Sequence, residues 1–386
     1  MRPGEITSRR KVLFSATLVR GHILKFHTPF LKWFKEQGWE TWVAAKDDLT
    51  DEECYIPYCD HFVNIDFARS PFSKQTFVAY NQLKELFSRE HFDIVHTHTP
   101  VGGVLTRLAA NRSRKEGTTV FYTAHGFHFF SGAPFMNWAL WYPVEKAMSR
   151  KTDVMITINR EDFERAKKFA RCEVEHIPGV GVDLSRFSGE RTGGDVRKEF
   201  GIPEDSFLLL SVGDLIPRKN QGVIIEALAL LPRNVELLIC GEGREASSLE
   251  ELAKRIAVDD RVHFAGFRKD IETVMTECDV LVFPSKHEGL PVSVMEAMAS
   301  RLPVIASSIR GIDPDLLIDG ESGLLLKSVD SEHIAEAVSR LMGSKEIGNR
   351  LADKAKKDVQ EFAIDAIVER MASLYKAKVM FDGQSA

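Results

Sequence analysis

Short apolar runs alternate with longer segments of helical periodicity along nearly the whole chain, and the alternation occurs twice. This pattern constrains the fold more than any other feature, because successive strand–helix–strand units build a parallel sheet with helices on both faces. In the first half the strand candidates are Lys11–Ala16, Thr41–Ala45, Ile94–His96, Val120–Thr123 and Val154–Ile158. Helical patterns fall between them at Ile23–Gln37, Phe77–Phe87, Val104–Asn111 and Trp138–Ser149. In the first of these Phe26, Phe30, Leu31, Trp33 and Phe34 recur at helical spacing, and Gly38 ends the segment. The second alternation has strands at Phe207–Val212, Val235–Cys240, Val262–Phe264, Val280–Phe283 and Val304–Ala306. Its helices fall around Gly222–Leu230, Leu249–Ala257, Ile271–Glu277, Val292–Ala299 and His333–Met342.

Between the halves, His176–Phe187 turns to Gly, Pro and polar residues, and Gly189–Gly201 is rich in charge and Gly. The boundary is expected there, with domains 1–187 and 188–363. A chain of 386 residues exceeds what one core usually serves. A final helix, Ile364–Lys376, carries Ile364, Ile367, Val368, Met371, Leu374 and Tyr375 on one face and is expected to pack back toward the first domain. The expected fold is therefore α/β: two doubly wound, Rossmann-like domains facing a central cleft, with ligands at the carboxyl ends of the strands.

Composition narrows the function. A net charge of −5 and a pI near 6.2 do not suit a nucleic-acid binder. Five unpatterned cysteines (Cys54, Cys59, Cys172, Cys240, Cys278) do not suit a disulfide scaffold or a zinc ribbon. No stretch reaches the ~18 apolar residues of a spanning helix, and the start of the chain is polar. The protein is expected in the cytoplasm, with contact to the inner face of the plasma membrane left open. Residues 1–185 carry +3 and the remainder −8, which sum to the chain's −5.

The most specific stretch is Phe283–Ala299, FPSKHEGLPVSVMEAMA. It follows a strand and opens a helix near Pro291, a residue suited to a first turn. Gly289 permits close approach of backbone to a ligand. The free N–H groups from Leu290 to Ser293 can hold a phosphate. Glu288 and Glu296 would flank that anion, each suited to sugar hydroxyls. On spacing alone, Glu296 fits equally well as a surface-helix carboxylate and Glu288 as a loop charge.

This stretch resembles the E-x7-E motif of the family-4 retaining glycosyltransferases, which share the GT-B fold. Ser211–Gln221 (SVGDLIPRKNQ), Cys240–Gly243 (CGEG), His263–Arg268 (HFAGFR), Gly320–Leu325 (GESGLL) and Ile177–Phe187 (IPGVGVDLSRF) extend the resemblance over nearly the whole chain. The runs His22–Glu40 and His96–Phe130 resemble the capsule and exopolysaccharide branch of that family. The resemblance implies that Glu296 binds the ribose of a nucleotide donor and Glu288 the hydroxyls of its sugar. It implies that Lys219 neutralises the diphosphate and that the N–H groups from Leu290 through Pro291 to Val292 cap it. The backbone around Phe267 and Arg268 would read the base, expected to be uracil. Many members carry Arg where this chain has Asp214, a charge reversal, and Arg218 is expected to substitute.

His125, in TAHGFHFF after the strand Val120–Thr123, resembles the family's active-site histidine, with His128 a weaker candidate. Gly21 lies in the expected first strand-to-helix loop, Thr17–His22, which in the family approaches the diphosphate and the acceptor. Gly241, in Gly241-Glu242-Gly243, reads as a tight turn beside the donor and not as a dinucleotide fingerprint, since Ala246 stands where the third glycine belongs. His96-Thr97-His98 shows no third metal ligand, and Asp313-Pro314-Asp315 reads as a turn. The GT-B fold implies no metal requirement and no cofactor beyond the UDP-sugar substrate.

The implied reaction moves a hexosyl or N-acetylhexosaminyl group from a UDP-sugar to an acceptor hydroxyl, with retention. The implied acceptor is a polyprenyl-diphosphate-linked saccharide of surface-polysaccharide synthesis. Phe26, Phe30, Trp33, Phe34 and Trp39 with Lys25, Lys32 and Lys35, and the uncharged aromatic run Phe127–Tyr142, also suit a bilayer interface. Two other readings share the architecture: a UDP-sugar 2-epimerase, and a non-catalytic sugar-nucleotide-binding scaffold at which Asp214 hints.

Overall fold

The computed structural model describes residues 9–49, 54–68, 73–187 and 195–379. The chain forms two compact units, Met1–Gly181 with Ile364–Ala386, and Val182–Ala363. The division precedes Phe187 because Val182 already belongs to the second unit: it bridges to Ala363, and its N–H donates to the Phe362 carbonyl at 2.9 Å. The stretch 188–194, within the expected linker, lies outside the described residues.

The first unit is built on strands β1 (Lys11–Leu18), β2 (Glu40–Lys46), β3 (His61–Asn64), β4 (Ile94–His98), β5 (Thr119–Ala124), β6 (Val154–Thr157) and β7 (Glu173–His176). They form one parallel sheet in the order β3-β2-β1-β4-β5-β6-β7 among the described residues. The central strands are buried along their length, which is why they read as continuous apolar runs and not as alternating ones. One face is covered by the last helix, Ile364–Lys378, through Ile367, Met371 and Tyr375, spaced by four and buried. That face packs with Phe14, Phe30, Phe34 and Phe121. The opposite face packs Leu83, Phe92, Leu105 and their neighbours.

The first connection differs from the sequence expectation. Strand β1 runs on to Leu18 and is followed by a π-helix, Val19–His27, and not by a loop. An α-helix, Thr28–Glu36, begins only where Pro29 occupies its first turn. Phe30, Phe34 and Trp39 from this region are core residues, which removes them from any exposed membrane face.

The second unit has strands β8 (Phe207–Val212), β9 (Val235–Cys240), β10 (Val262–Gly266), β11 (Val280–Phe283), β12 (Val304–Ser307) and β13 (Leu324–Leu326). They form a parallel sheet in the order β10-β9-β8-β11-β12-β13. In both units the order reverses beside the first strand, between β1 and β4 and between β8 and β11. In open parallel sheets the connections diverge at such a point and leave a crevice outside the carboxyl ends of the strands.

Candidate active site

In the second unit the loops after β8 and β11 meet at the reversal point. The loop after β8 carries Arg218 and Lys219; the loop after β11 carries Ser285 and Glu288. One oxygen of the buried Glu288 carboxylate takes Lys219 Nζ at 2.8 Å, Arg218 Nη1 at 2.6 Å and the Ser285 hydroxyl at 2.7 Å. Burial raises the Glu288 carboxyl, but Lys219 and Arg218 outweigh it and hold it below the ordinary value. Burial lowers the Lys219 ammonium. The loops are also tied through backbone: Lys286 N–H donates to the Arg218 carbonyl at 2.9 Å, and Arg218 Nη1 donates to the His287 carbonyl at 3.0 Å.

Glycines bring these loops together. A Cβ on Gly213 would meet Lys219 Cε at 3.2 Å. A Cβ on Gly241, where φ is +152°, would lie 2.0 Å from the Gly213 carbonyl oxygen. Asn220 holds φ of +59° beside Lys219, a conformation uncommon outside glycine. Past Gly289 and Leu290, Pro291 is the N-cap residue and the helix is Val292–Ala299. No side chain caps it, so the orphan N–H groups of its first turn are left to other acceptors, as an anion site requires. Glu296 is half-buried on this helix. Asp214 is exposed and adds a weak upward push on Lys219.

Phe267 and Arg268 follow β10, two strands from the reversal point. Phe267 is 69% exposed. The Arg268 guanidinium is committed to Glu199 at 2.6 Å and Asp270 at 2.7 Å. Sequence reasoning missed Ser285 and also Arg310, whose Nε donates to the Glu288 carbonyl at 3.1 Å. Neither sits at a spacing that marks it.

The first unit places five histidines together at the carboxyl ends of its central strands. His125 follows β5, His96 and His98 end β4, and His22 and His27 lie on the π-helix. The rings of His27 and His98 stack at 3.7 Å, and His22 meets His125 edge-on at 4.7 Å. His22 Nδ1 lies 2.9 Å from His27 Nε2, and His98 Nδ1 lies 3.2 Å from His125 Nε2. His96 is held by the Tyr375 hydroxyl at 2.6 Å and the Thr123 hydroxyl at 2.8 Å. Burial pushes His125 down to about 4 and His96 to about 3, and pushes His22, His27 and His98 well below their ordinary value. The cluster is neutral at physiological pH. The backbone past His125 is anchored by the buried Asp162, which accepts from Phe127 N–H at 3.0 Å.

Gly21 lies on the π-helix and lines a cavity of about 250 Å³ with Thr17, His22, Thr99, His128 and Trp141. This cavity opens at the β1/β4 reversal. Thr99 holds φ of +64° there, a costly conformation for a β-branched residue and of the kind that gathers at functional sites. His128 is exposed and stacks on Trp141 at 4.9 Å, apart from the imidazole cluster. His22 and His27 were not singled out from sequence, because five-residue spacing places side chains apart on an α-helix.

Comparison with known proteins accounts for both halves. Residues 11–159 match the family described as "Glycosyl transferase 4-like", and residues 194–358 match "Glycosyl transferases group 1". The chain is 41% identical over 384 residues to EpsD of Bacillus subtilis (strain 168), named as a glycosyltransferase, covering 97% of this chain and 98% of the relative. It is 30% identical over 305 residues to the UDP-Gal:alpha-D-GlcNAc-diphosphoundecaprenol alpha-1,3-galactosyltransferase of Escherichia coli, covering 76% of this chain and 77% of that one. The solved structure of Anabaena HepE in complex with UDP and glucose superposes with a TM-score of 0.77 at 17% identity, over 96% of this chain and 100% of that one. The chain therefore belongs to the family-4-type, group 1 glycosyltransferases of GT-B fold, transferases that use a sugar donor.

Proposed function

We propose that the protein transfers a sugar, with retention, from a UDP-sugar to a hydroxyl of a polyprenyl-diphosphate-linked saccharide at the cytoplasmic face of a membrane. The observation that carries this reading is the pairing of Lys219 and Arg218 with Glu288 over a glycine floor at the β8/β11 reversal. Two cations beside an uncapped helix start form a site for a diphosphate. The donor's diphosphate would draw Lys219 and Arg218 from Glu288 and free that carboxylate for sugar hydroxyls. Glu296 would take the ribose, and the backbone at Phe267 and Arg268 the uracil. With two cations supplied by the chain, transfer is proposed to need no metal at the diphosphate.

In the transfer step, the bond from the anomeric carbon to the phosphate oxygen breaks as the acceptor oxygen bonds to the same face. The departing phosphate oxygen takes the acceptor's proton. The protein contributes positioning and stabilisation of the developing charge on UDP. Neutral His125 would donate a hydrogen bond to the donor sugar. The cavity beside Gly21 and Trp141 would receive the acceptor. Support for a nucleotide donor and a lipid-linked acceptor also comes from relatives: HepE was solved with UDP, and the Escherichia coli enzyme is named for UDP-Gal and a diphosphoundecaprenol acceptor.

Membrane contact is assigned to the helix Phe135–Met148, where Phe135 and Met136 are 82% and 71% exposed. Among the described residues no helix is long and apolar enough to cross a membrane. The deciding experiment incubates the protein with a panel of UDP-sugars, with and without membrane lipid extract, and measures released UDP. UDP release that depends on one sugar and on lipid supports the proposal. Isomerised sugar without UDP release replaces it with an epimerase, and binding without turnover replaces it with a scaffold.

A further inference from the structure

We propose that His22, His27 and His125 form a binding site for a transition-metal ion of the zinc class. One nitrogen from each of the three rings lies within 4.8 Å of the other two. In the same cluster, His22 Nδ1 and His27 Nε2 lie 2.9 Å apart. A tetrahedral zinc ion with bonds of about 2.0–2.1 Å sets its nitrogens roughly 3.3–3.4 Å apart. Ligation thus asks the pair to open by a few tenths of an ångström and the third ring to close in.

The backbone is arranged to produce this juxtaposition. Residues five apart stand about 140° apart around an α-helix, too far to share a ligand. In a π-helix the hydrogen-bond repeat is itself five residues, so His22 and His27 come onto one face. This conformation is rare and occurs mostly as single turns at functional sites, whereas here it runs from Val19 to His27. Its first N–H groups are secured by Asp48, whose carboxylate accepts from Arg20 N–H at 2.7 Å and Gly21 N–H at 3.3 Å.

The surroundings hold the rings in place. His98 stacks on His27 and bonds His125 Nε2, so it holds two of the three rings in place, as outer-shell partners of metal ligands do. Neutral imidazoles without carboxylates select zinc, copper, nickel or cobalt over magnesium or calcium. Three protein nitrogens leave a fourth position open. With Nε2 bonded to His98, a metal on the other nitrogen of His125 leaves that ring no N–H for a sugar, so occupancy of this site and the proposed donor contact exclude each other; the ion is no counter-ion for the diphosphate.

The test uses full-length protein stripped with a chelator, then titrated with Co²⁺ and separately dialysed against Zn²⁺ with metal content measured. The expected result is one equivalent bound per chain, with the visible absorption of tetrahedral cobalt. His22→Gln should weaken binding at least about tenfold and abolish the spectrum, while His128→Gln should bind as the wild type does. His22 is half-buried, so its substitution leaves the core filled. Melting curves check each variant, and His125→Gln provides the second ligand variant. Absence of a bound equivalent, or an unchanged cobalt spectrum in both His22→Gln and His125→Gln, overturns the proposal.

Discussion

Lys219 Nζ sits 2.8 Å from a Glu288 carboxylate oxygen, and the contact joins the two loops that diverge between β8 and β11. Both side chains are largely buried. The Lys219 ammonium depends on this partner, because an unpaired buried charge costs several kcal/mol, while Glu288 also has Arg218. The pair keeps a cation in place at the crevice until a more highly charged anion arrives.

Lys219→Ala should therefore lower kcat/KM by on the order of 10²–10³, since it removes a preorganised stabiliser of developing charge. Arg218→Ala should cost less, because that side chain is more exposed. Steady-state UDP release reads both; equal losses from the two variants would contradict the assignment.

Asp214 is exposed and opposes the charge of an incoming diphosphate. Asp214→Asn should tighten UDP binding by a few-fold, the scale of a screened surface charge. The gain should shrink at high salt. Calorimetric titration with UDP at two ionic strengths measures it.

Glu288 has a folded-state pKa below its ordinary 4.5, so its ionised form stabilises the fold. That contribution is fully present above about pH 5 and disappears as pH falls through the lowered pKa. Denaturant titrations of wild type and Glu288→Gln should differ by up to about 3 kcal/mol at pH 7. The difference should be unchanged to pH 5 and should narrow below 4.5.

Gly241→Ala should destabilise the second unit by about 3 kcal/mol, since its Cβ would meet backbone at 2.0 Å and φ is +152°. Gly343→Ala, with nothing within 4 Å of the added carbon, is the matched control and should be near neutral. Thermal melts compare the two.

Replacing Phe135 and Met136 together by serine should reduce binding to vesicles at least tenfold, given about 1.5–3 kcal/mol for each large apolar side chain buried. The melting temperature should not move, because both are exposed. Flotation of wild type and variant with anionic vesicles decides.

Much of this was legible from sequence because buried parallel strands leave uninterrupted apolar runs. Val235–Cys240 was read with the bounds it has. The short, partly exposed strands β3 and β7 carry no such run and were not anticipated. The helix Arg160–Phe169 was also missed, although Asn159 caps it through the Asp162 N–H at 2.9 Å. Of the residues that meet at Glu288, Lys219 and Arg218 are legible because their loop carries a family motif, whereas Ser285 and Arg310 are not. Of the histidine cluster, the sequence marks His125 and offers His96 and His98 without a third ligand, because His22 and His27 join them only through a backbone conformation that side-chain periodicity does not encode. Of the aromatic runs, those around Phe30 and Phe34 proved to be core, while Phe135 and Met136 do face outward.

The last helix completes the first unit, with Tyr375 closing onto His96. The second unit is in effect an insertion between two parts of the first. During synthesis, residues 182–363 emerge as one whole unit, while one face of the first sheet stays only partly covered until residues 364–378 have been made. The second unit should thus be the earlier to mature. A nascent chain arrested before Tyr375 would carry a finished second unit and an exposed, chaperone-seeking first one.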